Sequence, residues 1–219
     1  MSIYCLIPAR KGSKRIKNKN LMKLNNKYLI SHSVEHAKKS REIKKVFVST
    51  NDNKIINLLK NEINIIKRPD ILSNDNVSTE DVISHFVYYL IKLNIKLPKY
   101  IVLLQCTSPL REKYDIDRAI NFLIKGKYDS VFSGVENRSL FWTKDKKLKP
   151  INYFPKKRLT EQKMKAQYIE NGSIYVFKTK GFLKYNCRLF GNIGIYLMSK
   201  KNSFQLDDLE DKKIIEKLV

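Results

Sequence analysis

The stretch Ile3-Tyr4-Cys5-Leu6-Ile7-Pro8-Ala9-Arg10-Lys11-Gly12-Ser13-Lys14-Arg15 decides the fold. An apolar run stops at a proline and empties into a loop with one glycine, one serine and a dense set of cations, with Lys17 and Lys19 just beyond. A buried strand that ends in a cationic loop is how a parallel α/β sheet offers backbone N–H groups and positive charge to phosphate oxygens. The stretch therefore predicts the first strand of such a sheet, with a loop that holds a nucleoside triphosphate. No Gly-Lys-Ser/Thr opens a helix after it, so it is not a Walker A loop.

Working outward, strand and helix alternate. Ile30, Val34 and Ala37 fall at helical spacing within 28–40, and residues 45–50 form a second apolar run. It ends at Asn51-Asp52, a helix cap ahead of Ile55, Ile56, Leu58 and Leu59. A short strand at 63–66 closes on Arg68-Pro69-Asp70, and paired apolar positions from Val82 to Ile91 mark the next helix. Strands at 100–104 and 129–133 flank an amphipathic segment at 115–123. Strands at 172–177 and 193–198 and a helix at 211–218 complete the pattern, which is that of a mostly parallel sheet covered on both faces. Residues 137–168 break the rhythm: lysine-rich and proline-interrupted, they are expected to form an inserted arm, a hairpin used for self-association, on a single domain spanning 1–219.

The chain has 219 residues, enough to bury a sizeable core. No apolar run reaches the roughly 18 to 20 residues of a membrane span, and no secretory pattern is expected at the start. Three widely spaced cysteines suit a reducing cytoplasm and lack zinc spacing. The net charge of +23 raises nucleic-acid binding. The lysines are spread through every segment, however, and no recognition element accompanies them, so nucleic acid is not the expected partner and the field serves anionic substrates. Cys106 with His85 as its base lacks the local signature of a nucleophile.

Ligands of open α/β sheets gather at the carboxyl ends of the strands, which brings together 8–19, Ser49 to Asp52, Arg68, 105–111 and Asp207-Asp208. Cations on one wall and carboxylates on another suit a polyphosphate with its Mg²⁺. Asp207-Asp208 is equally the N-terminal charge of the last helix.

The combination is specific. Ile7-Pro8-Ala9-Arg10-x-Gly12-Ser13-Lys14-x-Ile16-x-x-Lys19-Asn20 resembles the opening motif of the acylneuraminate (CMP-sialic acid synthetase-like) cytidylyltransferases. Leu103-Leu104-Gln105-Cys106-Thr107-Ser108-Pro109-Leu110-Arg111 is similar to their second signature, in which a proline usually stands at Cys106. Arg68-Pro69-x-x-Leu72-x-x-Asp75 and Glu170-Asn171-Gly172-Ser173-Ile174-Tyr175 add support, in the family's order along nearly the whole chain.

The resemblance implies a three-layer nucleotide-diphospho-sugar transferase-like (Rossmann-like) fold and a homodimer joined through the arm. It implies transfer of CMP from CTP to a nonulosonic acid of the sialic, legionaminic or pseudaminic type. The alternatives are an eight-carbon keto-deoxy sugar acid of lipopolysaccharide as acceptor, or an RNA-binding protein on the same fold. By the resemblance, Arg10, Gly12, Ser13, Lys14 and Lys19 bind the CTP phosphates, Lys14 and Lys19 meeting the leaving pyrophosphate. Asn20, Arg68 and Thr79 lie near cytosine and ribose, and Gln105, Tyr168, Asn171 and Tyr175 on the acceptor side. Asp207 and Asp208, with Asp211 in reserve, hold Mg²⁺ or Mn²⁺. The family's Asp-x-Asp is Gln205-Leu206-Asp207 here, so Asp207 carries the metal expectation. Ile169 stands where the bacterial sialic-acid enzymes often place arginine, which shifts weight toward legionaminic or pseudaminic acid.

Overall fold

A computed structural model describes residues 1–13 and 15–218; Lys14 lies outside the described residues, as does Val219. The strands are β1 (Ile3–Pro8), β2 (Lys23–Leu24), β3 (Lys27–Tyr28), β4 (Lys45–Thr50), β5 (Asn64–Lys67), β6 (Tyr100–Leu104), β7 (Ser130–Asn137), β8 (Trp142–Lys144), β9 (Leu148–Pro150), β10 (Gln167–Lys178) and β11 (Ile193–Leu197). The α-helices are α1 (Leu29–Lys39), α2 (Asn53–Leu59), α3 (Thr79–Lys92), α4 (Asp115–Lys125), α5 (Thr179–Tyr185) and α6 (Leu209–Glu216).

Seven strands form one sheet in the order β11-β7-β10-β6-β1-β4-β5. The pairs β1–β4, β1–β6, β4–β5 and β7–β11 are parallel, whereas β10 runs antiparallel to both β6 and β7. The strand order reverses between β1 and β6. That switch point opens a crevice beyond their carboxyl ends, where β1 gives way to the cationic loop and β6 to Gln105.

Because successive side chains of a strand point to opposite faces, each central strand feeds two cores. Ile3, Cys5 and Ile7 of β1 pack with Val102 and Leu104 of β6 beneath α1, α2, α4 and α6. Tyr4, Leu6, Ile101 and Leu103 pack on the other side beneath Ile83, Phe86, Val87 and Leu90 of α3 and Phe182 of α5. Strands buried on both faces read as unbroken apolar runs, which is why β1, β4 and β6 were legible. The sequence reading missed α5, which is too short and lysine-rich to show a stripe, and it began β10 five residues late, at Gly172.

The element starts that frame the crevice are capped by side chains. Ser78 and Asp81 form a reciprocal capping box at α3 (Asp81 N to Ser78 Oγ, 3.1 Å; Ser78 N to Asp81 Oδ2, 2.9 Å), and Asp52 accepts from Lys54 N at 2.9 Å at α2. The stretch between β7 and β10 carries the antiparallel β8–β9 pair and short 3₁₀ turns at Pro155–Lys157 and Glu161–Lys163. It displays Phe141, Trp142, Leu148, Ile151, Phe154 and Leu159 to solvent.

Candidate active site

A cavity of ≈ 280 Å³ occupies the switch-point crevice, lined by Pro8, Arg10, Gly12, Ser13, Lys19 and Asn20 from the first loop, Arg68, the start of α3 from Val77 to Thr79 with Val82, and Gln105 to Thr107. The loop is anchored at several points. Ala9 N donates to Ser49 O (2.9 Å), Lys11 N to Asn51 Oδ1 (2.7 Å), and Asn20 Nδ2 to Arg10 O (3.0 Å). Gly12 turns the chain with φ +78° and has open space where a Cβ would stand, so its backbone N–H is approachable.

Two arginines meet this cavity in different electrostatic states. Arg10 pairs with Asp75 at 2.6 Å. Arg68, only 4% exposed, has Nε and Nη2 buried with no partner among the described residues. Burial first, and the Arg10 charge second, push its pKa down to about 10, so it remains a cation at neutral pH. A buried guanidinium with free donors is costly unless an acceptor reaches it, and such an acceptor is what a nucleotide carries.

Lys19 is buried, and its Nζ donates to Leu206 O (2.8 Å) and Asp207 Oδ1 (3.2 Å). Its third acceptor is Asp207 O at 3.5 Å, so the same side chain fastens the loop to the approach of α6. Arg15 Nη1 lies 3.9 Å from Asp207 Oδ2.

The two aspartates expected to hold metal separate on geometry. The half-exposed Asp207 carboxylate faces Lys19 and has no role in capping. Asp208 is the N-cap of α6: its Oδ1 accepts from Glu210 N (2.8 Å) and Asp211 N (2.9 Å), while Asp211 Oδ2 accepts from the amides of 207 and 208. Asp208 and Asp211 thus form a capping box through one oxygen each. Among the described residues no group of three or more His, Cys, Asp or Glu converges as a metal cage. The half-exposed Asp207 carboxylate, although paired with Lys19 and Arg15, fits Mg²⁺, which keeps waters and takes most of its ligands from substrate phosphates.

Gly172 (φ +63°) lies between two glutamines that line separate cavities. A Cβ there would lie 2.5 Å from Gln105 Oε1 and 3.3 Å from Gln205 Nε2. Gln105 lines the first cavity, and Gln205 lines a second of ≈ 270 Å³ with Val135, Glu136, Asn137, Ile169, Glu170, Asn171, Lys200, Ser203 and Phe204. Asn171 is 2% exposed and fully bonded: Oδ1 accepts from Ser133 Oγ (2.6 Å) and Ser173 N (3.1 Å), and Nδ2 donates to Ser203 Oγ (3.0 Å). It holds the wall of this cavity together. Tyr175 lies in the core on the α3 side, with its hydroxyl donating to Glu170 and the Arg188 guanidinium over its ring at 4.7 Å. Tyr168 is half-exposed on β10 opposite Glu136 and lines neither cavity.

Other residues take unforeseen positions. Val77, Ser78 and Val82 line the first cavity, and the Ser-x-x-Asp cap was the available sequence signal for that helix start. Arg111 is a buried clasp, donating to Ser173 O (2.7 Å), Gln105 O (2.7 Å) and Ser33 Oγ (3.0 Å), so it holds the end of β6 against β10. Cys106 donates to Pro8 O at 3.7 Å, and burial pushes its thiol up to about 12, which removes it as a nucleophile at neutral pH.

Comparison with known proteins bears on this geometry. The pattern of the family described as Cytidylyltransferase matches residues 4–219. Post-translational flagellin modification protein B of Campylobacter coli is 30% identical over 99% of this chain and 94% of that protein. N-acylneuraminate cytidylyltransferase of Streptococcus agalactiae serotype V is 30% identical over 96% of this chain, which spans 52% of that protein's length. CMP-N,N'-diacetyllegionaminic acid synthase of Campylobacter jejuni is 28% identical over 99% of this chain and 94% of that protein. Among solved structures, CMP:2-keto-3-deoxy-manno-octonic acid synthetase complexed with CTP superposes with TM-score 0.73 at 15% identity, covering 100% of this chain and 98% of that one; it shares the fold. A chain matched from residue 4 to 219, with its cationic loop, Arg68 and Asp207 gathered at the switch point, belongs to the cytidylyltransferase family and is a nucleotidyltransferase related to the CMP-sugar-acid synthases.

Proposed function

We propose that the protein transfers CMP from CTP to the anomeric hydroxyl of a nonulosonic acid of the sialic, legionaminic or pseudaminic type, releasing pyrophosphate. The observation that carries this reading is Arg68, a buried cation that lines the cavity beside the cationic loop, with Nε and Nη2 lacking a hydrogen-bond partner among the described residues. The relatives' names support the acceptor class, two of them being synthases or transferases for acylated sugar acids.

In this reading the loop amides around Gly12 and Ser13, with Arg10 and Lys19, take the triphosphate, and Arg68 and the start of α3 at Thr79 take the cytidine end. Lys14 belongs to the same proposal. The acceptor approaches over Gly172, between Gln105 and Gln205. The anomeric oxygen forms a bond to the α-phosphorus, the bond from that phosphorus to the β-phosphate bridge breaks, and the hydroxyl proton is released. Lys19 meets the charge growing on the departing pyrophosphate, a contact that strengthens toward the transition state. Mg²⁺, held by Asp207, would supply charge neutralisation on the triphosphate. The arm at 137–168 joins a second copy of the chain, through the aromatic set that it exposes. The reaction is tested by following pyrophosphate release from CTP with a panel of sugar acids. Release that requires both CTP and a nine-carbon acid is the expected result, and release with no acid dependence would overturn the reading.

A further inference from the structure

Arg188, in the stretch between α5 and β11, reaches the walls of both cavities from behind. Its Nη1 lies 2.5 Å from Glu80 Oε1 in the first turn of α3, directly after the Val77 to Thr79 segment that lines the first cavity. Its Nη2 lies 3.8 Å from Glu170 Oε1, and Glu170 lines the second cavity where the register of β10 breaks. The guanidinium also sits over the Tyr175 ring at 4.7 Å, and the Tyr175 hydroxyl donates to the same Glu170 oxygen. One planar cation therefore holds α3 and both ends of the β10 irregularity that contains Gly172.

The base of this side chain is fixed. Ser84 Oγ of α3 donates to Asn186 Oδ1 (3.1 Å), Phe190 N donates to Ser130 Oγ (3.0 Å), and Asn192 N donates to Asp129 Oδ2 (2.8 Å). The Arg188 and Glu80 side chains are only 19% and 21% exposed, so solvent screens their pairing less than that of a surface ion pair. A guanidinium is a rigid fork and sets the distance between the groups that it joins. Arg111, the other clasp beside Gly172, has a partner on each guanidinium nitrogen. Arg188 instead leaves Nε buried with no hydrogen-bond partner among the described residues. That is a cost to stability, of the kind found where position matters more than satisfaction.

We infer that Arg188 is a positioning residue for the transfer reaction: by tying Glu80 to Glu170 it sets the spacing between the start of α3 in the first cavity and the β10 bend over which the acceptor approaches. The inference rests on the CMP-transfer reading above. Arg188 contacts neither substrate in it and acts on the distance between the acid's anomeric oxygen and the α-phosphorus. When the tie is cut, each substrate still meets its own cavity. What is lost is their mutual alignment, on which an in-line displacement depends.

The test uses the whole chain with CTP, Mg²⁺ and a panel of nine-carbon acids of the sialic, legionaminic and pseudaminic types, and compares Arg188→Gln, Glu80→Gln and the double variant. Each single variant is expected to lower kcat about thirtyfold or more, with KM for CTP and for the acid each within about threefold of wild type. The double variant should lose no more than the larger single loss, because both substitutions cut one tie. Should Arg188→Gln fail to fold, Glu80→Gln at a part-exposed site is read alone in the same way. An unchanged kcat, a loss in KM alone, or single losses that multiply in the double variant overturns the inference and leaves the cytidylyltransferase reading standing. A lowered thermal midpoint with wild-type kcat does the same, since it makes the tie structural. No CTP turnover by the wild type with any acid of the panel overturns both.

Discussion

Arg68 and Asp207 carry the proposed chemistry at the scale of single residues, and each is open to a separable measurement. Arg68 is held in place by burial and by its backbone, whose N–H donates to Thr50 O at 2.8 Å, and its Nε and Nη2 have no hydrogen-bond partner among the described residues. Arg68→Met keeps the apolar stem and removes the donors. The KM for CTP should rise tenfold or more, while the thermal midpoint stays level or rises, because an uncompensated buried charge has gone. A lowered midpoint with unchanged CTP affinity would make Arg68 a structural residue. Asp207→Asn keeps an oxygen for Lys19 and removes the carboxylate charge. The Mg²⁺ concentration for half-maximal rate should rise about tenfold or more, since a neutral oxygen binds a hard cation more weakly. An unshifted Mg²⁺ dependence would place the metal on other groups.

Elements explain which parts of the molecule the sequence could announce. β1, β4 and β6 are buried on both faces, and their apolar runs and the loop after β1 were legible without any three-dimensional information. The acceptor side was not. Tyr175 and Asn171 were placed near the acceptor by motif alone, and whether a residue of β10 faces a cavity or a core depends on the irregular register between Glu170 and Tyr175. Asp208 shows a similar ambiguity: a carboxylate before a helix serves a cation or the helix's own N–H groups, and only the backbone geometry shows that its Oδ1 caps α6. Helix α1 supplies a further test at this scale. It carries His32 and His36, both lowered by burial; for His36, at about 3, the Arg111 charge adds to the effect. A histidine kept neutral in the fold costs stability as pH falls, because the unfolded chain takes up protons from its ordinary value near 6.5 while the folded chain does not. His36 alone should contribute about 2 kcal/mol of destabilisation at pH 5 relative to pH 8. The thermal midpoint should therefore drop between pH 7 and 5, and His36→Leu should remove part of that drop. Parallel profiles for variant and wild type would show that His36 titrates normally.

Across the whole molecule, the sheet places a cationic loop and a buried guanidinium around one cavity and a second, part-apolar cavity beside β7 and β10. The net charge of +23 would favour encounter with the two anionic substrates proposed and make the on-rate sensitive to salt. The arm stands outside this frame, with Phe154 78% exposed and Trp142 45% exposed. Exposed apolar side chains of this kind suit the proposed contact with a second copy of the chain. Phe154→Lys should convert a dimer to a monomer in light scattering at micromolar concentration, with the fold intact by circular dichroism; a monomeric wild type would refute the dimer. The central claim is CMP transfer, and phosphorus NMR of CTP, Mg²⁺ and an N-acylated nine-carbon acid with catalytic protein tests it most directly. The account predicts that the three CTP resonances give way to one phosphodiester resonance and one pyrophosphate resonance, in step and only when the acid is present. Unchanged CTP, or CMP and pyrophosphate without a phosphodiester, would contradict it.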